Sequence, residues 1–86
     1  MEDYGKTMSF NSEIVKRENI KEVMLLVRQA LIERGYDPIN QISGYLISND
    51  PAYISSHLNA RTTIQSLDRY DIIEELVRYY FEGQSK

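Results

Sequence analysis

Between Ile20 and Leu31 the apolar residues Ile20, Val23, Met24, Val27, Ala30 and Leu31 recur at steps of three and four. That period gathers them on one face of an α-helix, whereas a strand would scatter them over both of its faces. Asn19 and Glu22 stand at capping-box spacing before the stripe, and Gly35 after it offers a left-handed C-cap. The spacing predicts a helix over about residues 20–34. Such a helix hides one side and leaves the other wet, so the rest of the chain must provide its cover.

The cover reads as further helices. Asp37 followed by Pro38 is an N-cap acid before the residue best tolerated in a first helical turn, and Ile39, Ile42, Tyr45 and Leu46 mark the buried side of a helix to about Ser48, with Ile47 flanking it. Gly44 inside this helix costs roughly 1 kcal/mol relative to Ala, a cost that close contact at that point would explain. Asp50-Pro51 repeats the start signal before Ala52, Tyr53 and Ile54, which predicts a short helical turn. A cap at Asn59 leads into Ala60, Ile64 and Leu67, a helix over about 60–67. Asp68 and Asp71 then favour the start of a last helix, whose face is Ile72, Ile73, Leu76, Val77, Tyr80 and Phe81 and which Gly83 ends.

The expected fold is therefore all-α: a compact domain of four to five short helices with a helix-turn-helix-like core. Residues 1–18 show no clear periodicity and read as a flexible N-terminal arm, residues 19–83 as the helical dimerisation and partner-binding domain, and residues 84–86 as a disordered tail. The adjacent apolar pairs 72/73, 76/77 and 80/81 make the last face wider than a two-helix seam needs. A second copy of the chain is expected to cover the excess, because a domain of 86 residues has little core and benefits most from association.

Composition narrows the setting. The absence of cysteine removes disulfides and thiolate metal sites, which points to a reducing cytoplasm. The polar start from Met1 to Asn11 lacks the features of a signal peptide, and apolar runs such as Val23 to Val27 are too short for a bilayer, so no membrane insertion is expected. A net charge of −3 disfavours nucleic acid as a partner. The helix-turn-helix alternative, a small DNA-associated regulator, meets the same objection locally: no Lys or Arg occurs between Gly35 and Ala60, and Arg61 is the only one before Arg69.

Residues suited to catalysis are sparse. One histidine, His57, without cysteine makes a zinc or iron site improbable, and His57 reads as a surface or capping residue. Ser55-Ser56-His57 puts hydroxyls beside an imidazole along the chain only, with no nucleophile elbow. Asp68, Asp71, Glu74 and Glu75 read as dipole partners and a solvated face. The glycines at 5, 35, 44 and 83 form no phosphate-cradling loop. No catalytic residue, metal or cofactor is expected.

The stretch Gly35-Tyr36-Asp37-Pro38-Ile39-Asn40-Gln41-Ile42, continued by Gly44-Tyr45-Leu46 and Asp50-Pro51-Ala52-Tyr53-Ile54, resembles the signature of the IreB family of small regulatory phosphoproteins of Gram-positive bacteria. Ala60-Arg61 and Ile72-Ile73-Glu74-Glu75-Leu76-Val77-Arg78 fit it as well, so that the resemblance runs from Lys6 almost to the end. It implies an all-helical homodimer phosphorylated on threonine near its N-terminus by a transmembrane Ser/Thr protein kinase and reset by a phosphatase. It also implies control of cell-wall (peptidoglycan) synthesis and antibiotic tolerance, through regulated proteolysis of an early enzyme of that pathway, with a protease or cell-wall enzyme as partner. The matching phosphoacceptor motif is Lys6-Thr7-Met8-Ser9-Phe10, which makes Thr7 the expected site and leaves Ser9 and Ser12 open as additional ones.

An exposed arm suits a kinase cleft, and a phosphate on it could be received by Lys6, Lys16, Arg17, Lys21 and the start of the first helix. The chain departs from the family pattern in three places. Tyr4 stands near the place of a second threonine, Ser55-Ser56 replaces a common Pro-Arg, and Gln65 replaces a commonly basic residue. Two positive charges are thus missing, at Ser56 and Gln65, from an expected partner-facing surface. Arg61 and Arg69 remain as the expected partner-binding residues.

Overall fold

In the computed structural model, the backbone is described for residues 2–84 and the side chains for residues 12–83. Among these the chain forms four α-helices and no strand: α1 Glu2–Glu33, α2 Pro38–Ser48, α3 Ala60–Gln65 and α4 Arg69–Gln84. Two 3-10 turns, Pro51–Tyr53 and His57–Asn59, lie between α2 and α3.

The stripe that opens the sequence argument is the spine of the core. Ile20, Val23, Val27, Ala30 and Leu31 are buried, and Tyr45, Ile54, Ala60, Ile64 and Ile72 close over them from the other elements. Met24, Ile42, Leu46 and Leu67 pack around that cluster. α1 packs most extensively on α3, next on α2, and only lightly on α4. Ile39, expected on the buried side of α2, is 78% exposed instead, because it sits in the first turn, before α2 reaches the core.

Most of the turn chemistry acts where the residues suggest. After α1, Gly35 adopts φ 82°, with its N–H bonded to the Ile32 carbonyl at 3.0 Å and that of Tyr36 to Leu31 at 2.9 Å. This pair of bonds is a Schellman ending, and a side chain at Gly35 would strain it. Asp37 accepts the Ile39 N–H at 2.9 Å and Asp50 accepts the Ala52 N–H at 2.9 Å, so both Asp-Pro pairs start a helical segment. Asp68 does the same for α4 through the Tyr70 N–H at 2.8 Å. Gly44 permits a close approach, though to a turn rather than a helix. A Cβ there would overlap the Tyr53 ring, 2.6 Å from Cδ1 and 2.8 Å from Cζ.

Four boundaries differ from the sequence reading. The helix expected from residue 20 begins instead at Glu2, so Asn19 lies inside α1 and caps nothing. Residues 12–18 continue the helix because its flank meets α4, through contacts between residues far apart in sequence. Asn59 precedes α3 but makes no side-chain cap bond, since it and Leu58 both adopt left-handed backbone, φ 59° and 56°. The connection from α2 to α3, residues 49–59, holds the short helical turn expected after Asp50-Pro51, as the 3-10 segment Pro51–Tyr53, and adds to it a second 3-10 turn and a left-handed reversal. Gly83 lies within α4, which runs to Gln84, while residues 85–86 of the expected tail lie outside the described residues.

Candidate functional site

Three surfaces of this fold carry more than packing. The first is the junction where the leading part of α1 crosses α4. Arg17 donates from Nε to Glu75 Oε1 at 2.8 Å and from Nη2 to Glu82 Oε1 at 3.1 Å, while Lys16 Nζ lies 3.2 Å from Asp71 Oδ1. The carboxylates Glu75 and Glu82 hold the Arg17 guanidinium protonated more firmly still, and Asp71 raises the Lys16 ammonium in the same way. The Glu75 side chain is only 15% exposed and also receives Arg78 at 3.8 Å. Asp71 and Glu75, read from the sequence as dipole partners and a solvated face, are thus partners of α1. The signal was present in the i, i+4 spacing of Asp71 and Glu75, but nothing local named the cations opposite.

The second surface is the outer side of α4. Ile72 turns into the core, but Ile73, Leu76, Val77, Tyr79, Tyr80 and Phe81 are all exposed, with Tyr79 at 72%. Among the described residues, those of the other helices do not cover the wide face that the sequence shows. Tyr80 and Phe81 pack edge to face, ring centres 5.7 Å apart, and so present one aromatic surface rather than two separate rings.

The third is a polar cavity of about 440 Å³ where the end of α1, the start of α2 and the turn before α3 meet. Arg34, Tyr36, Gln41, Tyr53, Ser55 and Arg61 line it. Gln41 Nε2 holds the Tyr53 carbonyl at 2.9 Å and fixes one wall. Of these residues, sequence reasoning offered only Arg61 as a partner-binding residue. Arg34 and Tyr36 flank a helix ending whose function in the pattern was wholly accounted for by Gly35, so no spacing rule pointed to them.

The expected partner-binding arginines occupy different places. Arg61 donates from Nε to the Ile54 carbonyl at 2.8 Å, and Arg69 donates from Nη1 to the Leu46 carbonyl at 2.6 Å. Each satisfies a main-chain acceptor; Leu46 lies in the last turn of α2, whose carbonyls have no partner within the helix. Arg69 does not line the polar cavity that Arg61 enters. The side chain of Thr7, like that of Ser9, lies outside the described residues, while its backbone falls in the second turn of α1. At 1.5 Å per residue Thr7 is about 14 Å along the helix from Lys16, which the intact helix keeps out of its reach.

Little here serves catalysis. His57 Nε2 lies 2.8 Å from Glu33 Oε1, and Ser55 Oγ accepts the His57 main-chain N–H at 3.0 Å, so the imidazole is tied to α1 and not to a hydroxyl. Hydrogen bonds from Gln29, and then His57, hold the Glu33 carboxyl below its ordinary value. No group of three or more His, Asp or Glu suited to a metal occurs among the described residues. No described helix is long and apolar enough to cross a membrane. What the fold offers is protein surface: a charged junction, an exposed apolar face and a polar cavity. This fits what the Gly-Tyr-Asp-Pro and Asp-Pro-Ala-Tyr segments suggested. The family model of the IreB regulatory phosphoprotein matches residues 5–82 of the 86, and the chain belongs to that family.

Proposed function

We propose that the chain is a non-enzymatic regulatory phosphoprotein acting in the cytoplasm as a homodimer through contacts with other proteins. Thr7 is the acceptor: a transmembrane Ser/Thr kinase moves the γ-phosphoryl group of ATP to its hydroxyl oxygen, releasing ADP and a proton, and a phosphatase hydrolyses the ester with water. The modified and unmodified forms engage different partners and so set the regulated proteolysis of an early peptidoglycan enzyme, and with it antibiotic tolerance. The observation that carries the reading is the exposed aromatic and aliphatic side of α4, which is larger than an isolated surface side chain accounts for and lies beside a cross-helix charge cluster.

That face is the dimer surface in this reading, and in the unmodified form Arg61 and Arg69 meet the protease or cell-wall partner with the guanidinium nitrogens that their carbonyl bonds leave over. Phosphate adds about −1.5 to −2 charges to a chain already at −3. The change acts on partner choice, since Lys16 and Arg17 are engaged by α4.

The test has two arms. Affinity capture from cells with wild type, Thr7→Ala and Thr7→Glu, followed by mass spectrometry of bait and partners, is expected to find phosphate on Thr7 of the wild type and a partner set that differs from Thr7→Ala. Identical partners with all three baits would sink the reading. In the second arm Val77→Glu, which puts a charge on the exposed face, is expected to halve the mass measured by light scattering. A variant that keeps the wild-type mass rules out this face as the dimer surface. A DNA-associated role has no observation in its favour, with a net charge of −3 and no tight turn between α2 and α3.

A further inference from the structure

We propose that the polar cavity between the end of α1 and the turn before α3 is a phosphate-monoester site, and that its ligand is the phosphorylated Thr7 segment of a second copy of this chain. Among the described residues, two guanidinium side chains, Arg34 and Arg61, line the cavity, and no carboxylate does. Arg61 is anchored through Nε to the Ile54 carbonyl, which orients the plane of its fork and leaves both terminal nitrogens to donate in parallel to two phosphate oxygens. Arg34 is exposed at the end of α1, and its acidic neighbour Glu33 is drawn away from it by Gln29 at 2.9 Å and His57 at 2.8 Å. The hydroxyls of Tyr36, Tyr53 and Ser55 complete a set of donors; Ser55 Oγ accepts the His57 N–H, which leaves its own proton to give. A cavity lined by hydroxyl and guanidinium donors with two positive charges favours a dianionic tetrahedral group over a neutral ligand.

Distance selects the source. Thr7 lies in the second turn and Glu33 at the end of one continuous helix, about 39 Å apart at 1.5 Å per residue, so a chain cannot bring its own Thr7 to its own Arg34 while α1 is intact. A second copy can. The inference rests on the phosphorylation of Thr7 proposed above, and the experiment keeps the two separable.

The full unphosphorylated chain, labelled with 15N, is titrated with three probes: a synthetic peptide of residues 2–12 carrying phosphothreonine at position 7, the same peptide unphosphorylated, and inorganic phosphate. The phosphopeptide is expected to give saturable amide shifts confined to Arg34, Tyr36, Tyr53, Ser55 and Arg61. Its affinity is expected to exceed that of inorganic phosphate and to fall about tenfold or more in Arg34→Ala, which removes a charge-assisted donor. Arg61→Lys, which keeps the charge but not the fork, is expected to weaken binding as well.

Equal binding of the unphosphorylated peptide, or an affinity that Arg34→Ala leaves unchanged, overturns the site. Inorganic phosphate binding as tightly as the phosphopeptide overturns the second copy as the source. Because synthesis installs the phosphate, a phosphopeptide that fails to bind removes the site without touching Thr7 phosphorylation in cells. Binding to a chain that cells never phosphorylate supports the site and overturns the earlier reading.

Discussion

The two halves of α1 are held by different forces. From Ile20 to Leu31 the helix is clamped by apolar side chains of α2, α3 and the intervening turns, with Val27, Ala30 and Leu31 fully excluded from water. From Ser12 to Glu18 it is held against α4 by Lys16 and Arg17, while Ile14 and Val15 stay exposed. Burial is non-directional and is not screened by ions, whereas charge pairs near the surface are directional, screened and individually weak. The core therefore fixes the fold, and the α1–α4 junction is the part that a change of charge or a binding partner can alter.

The largest expected effect separates the two regions directly. Leu31→Ala empties a fully buried site and is expected to lower stability by about 2–5 kcal/mol, read from urea unfolding. Tyr79→Ala on the exposed side of α4 is expected to change it by less than about 0.5 kcal/mol in the monomer, at protein concentrations too low for association. Comparable losses in the two variants would mean that α4 belongs to the core and the contrast is false.

Gly44→Ala probes the edge of the core. The added methyl meets the Tyr53 ring, so a loss of about 1–3 kcal/mol is expected by thermal unfolding. In a Tyr53→Ala background the same change is expected to stabilise α2 by about 1 kcal/mol, through helix propensity alone. A loss of equal size in both backgrounds would assign the effect to the backbone and not to the ring.

Smaller effects belong to the junction. Arg17→Ala is expected to speed amide exchange along α4 while leaving that of residues 23–31 unchanged, and its difference from wild type should shrink as ionic strength rises from about 0.01 to 1 M. A difference that salt does not touch would show that packing, not charge, joins these helices. The smallest effect expected is that of Glu33. Its folded carboxyl is depressed by Gln29 and His57, so its contribution is present above the unfolded carboxylate value and is lost as pH falls through the folded one. Denaturant midpoints of wild type and Glu33→Gln measured across the acidic carboxylate range should converge as the pH drops. Curves that stay parallel would contradict the assignment.

Local chemistry made much of this molecule legible. The stripe from Ile20 to Leu31, the two Asp-Pro starts and the Gly35 ending each express a rule that acts within a few residues, and each recurs in the structure with the bonds that the rule requires. Asn19 and Asn59 show the limit. Both have the side chain of a helix cap, but one lies inside a longer helix and the other in a left-handed reversal, because partners distant in sequence outweighed a local preference of about 1 kcal/mol. The site is less legible than the fold. Arg61 and Arg69 were visible as cations, but the carbonyls they hold were not, and Arg34 gave no signal at all until it stood across a cavity from Arg61.

By itself, then, the sequence determined an all-helical chain, the face of α1 that is buried, the Gly35 ending and the Asp-Pro starts, and the regulatory phosphoprotein family to which it belongs, because periodicity and capping are properties of neighbours along the chain. Tertiary structure alone decided that α1 extends to meet α4, that Glu75 is drawn in between Arg17 and Arg78, that the outer side of α4 stays bare, and that two arginines twenty-seven positions apart face one cavity. Those outcomes depend on distances across the fold, and no local pattern encodes them.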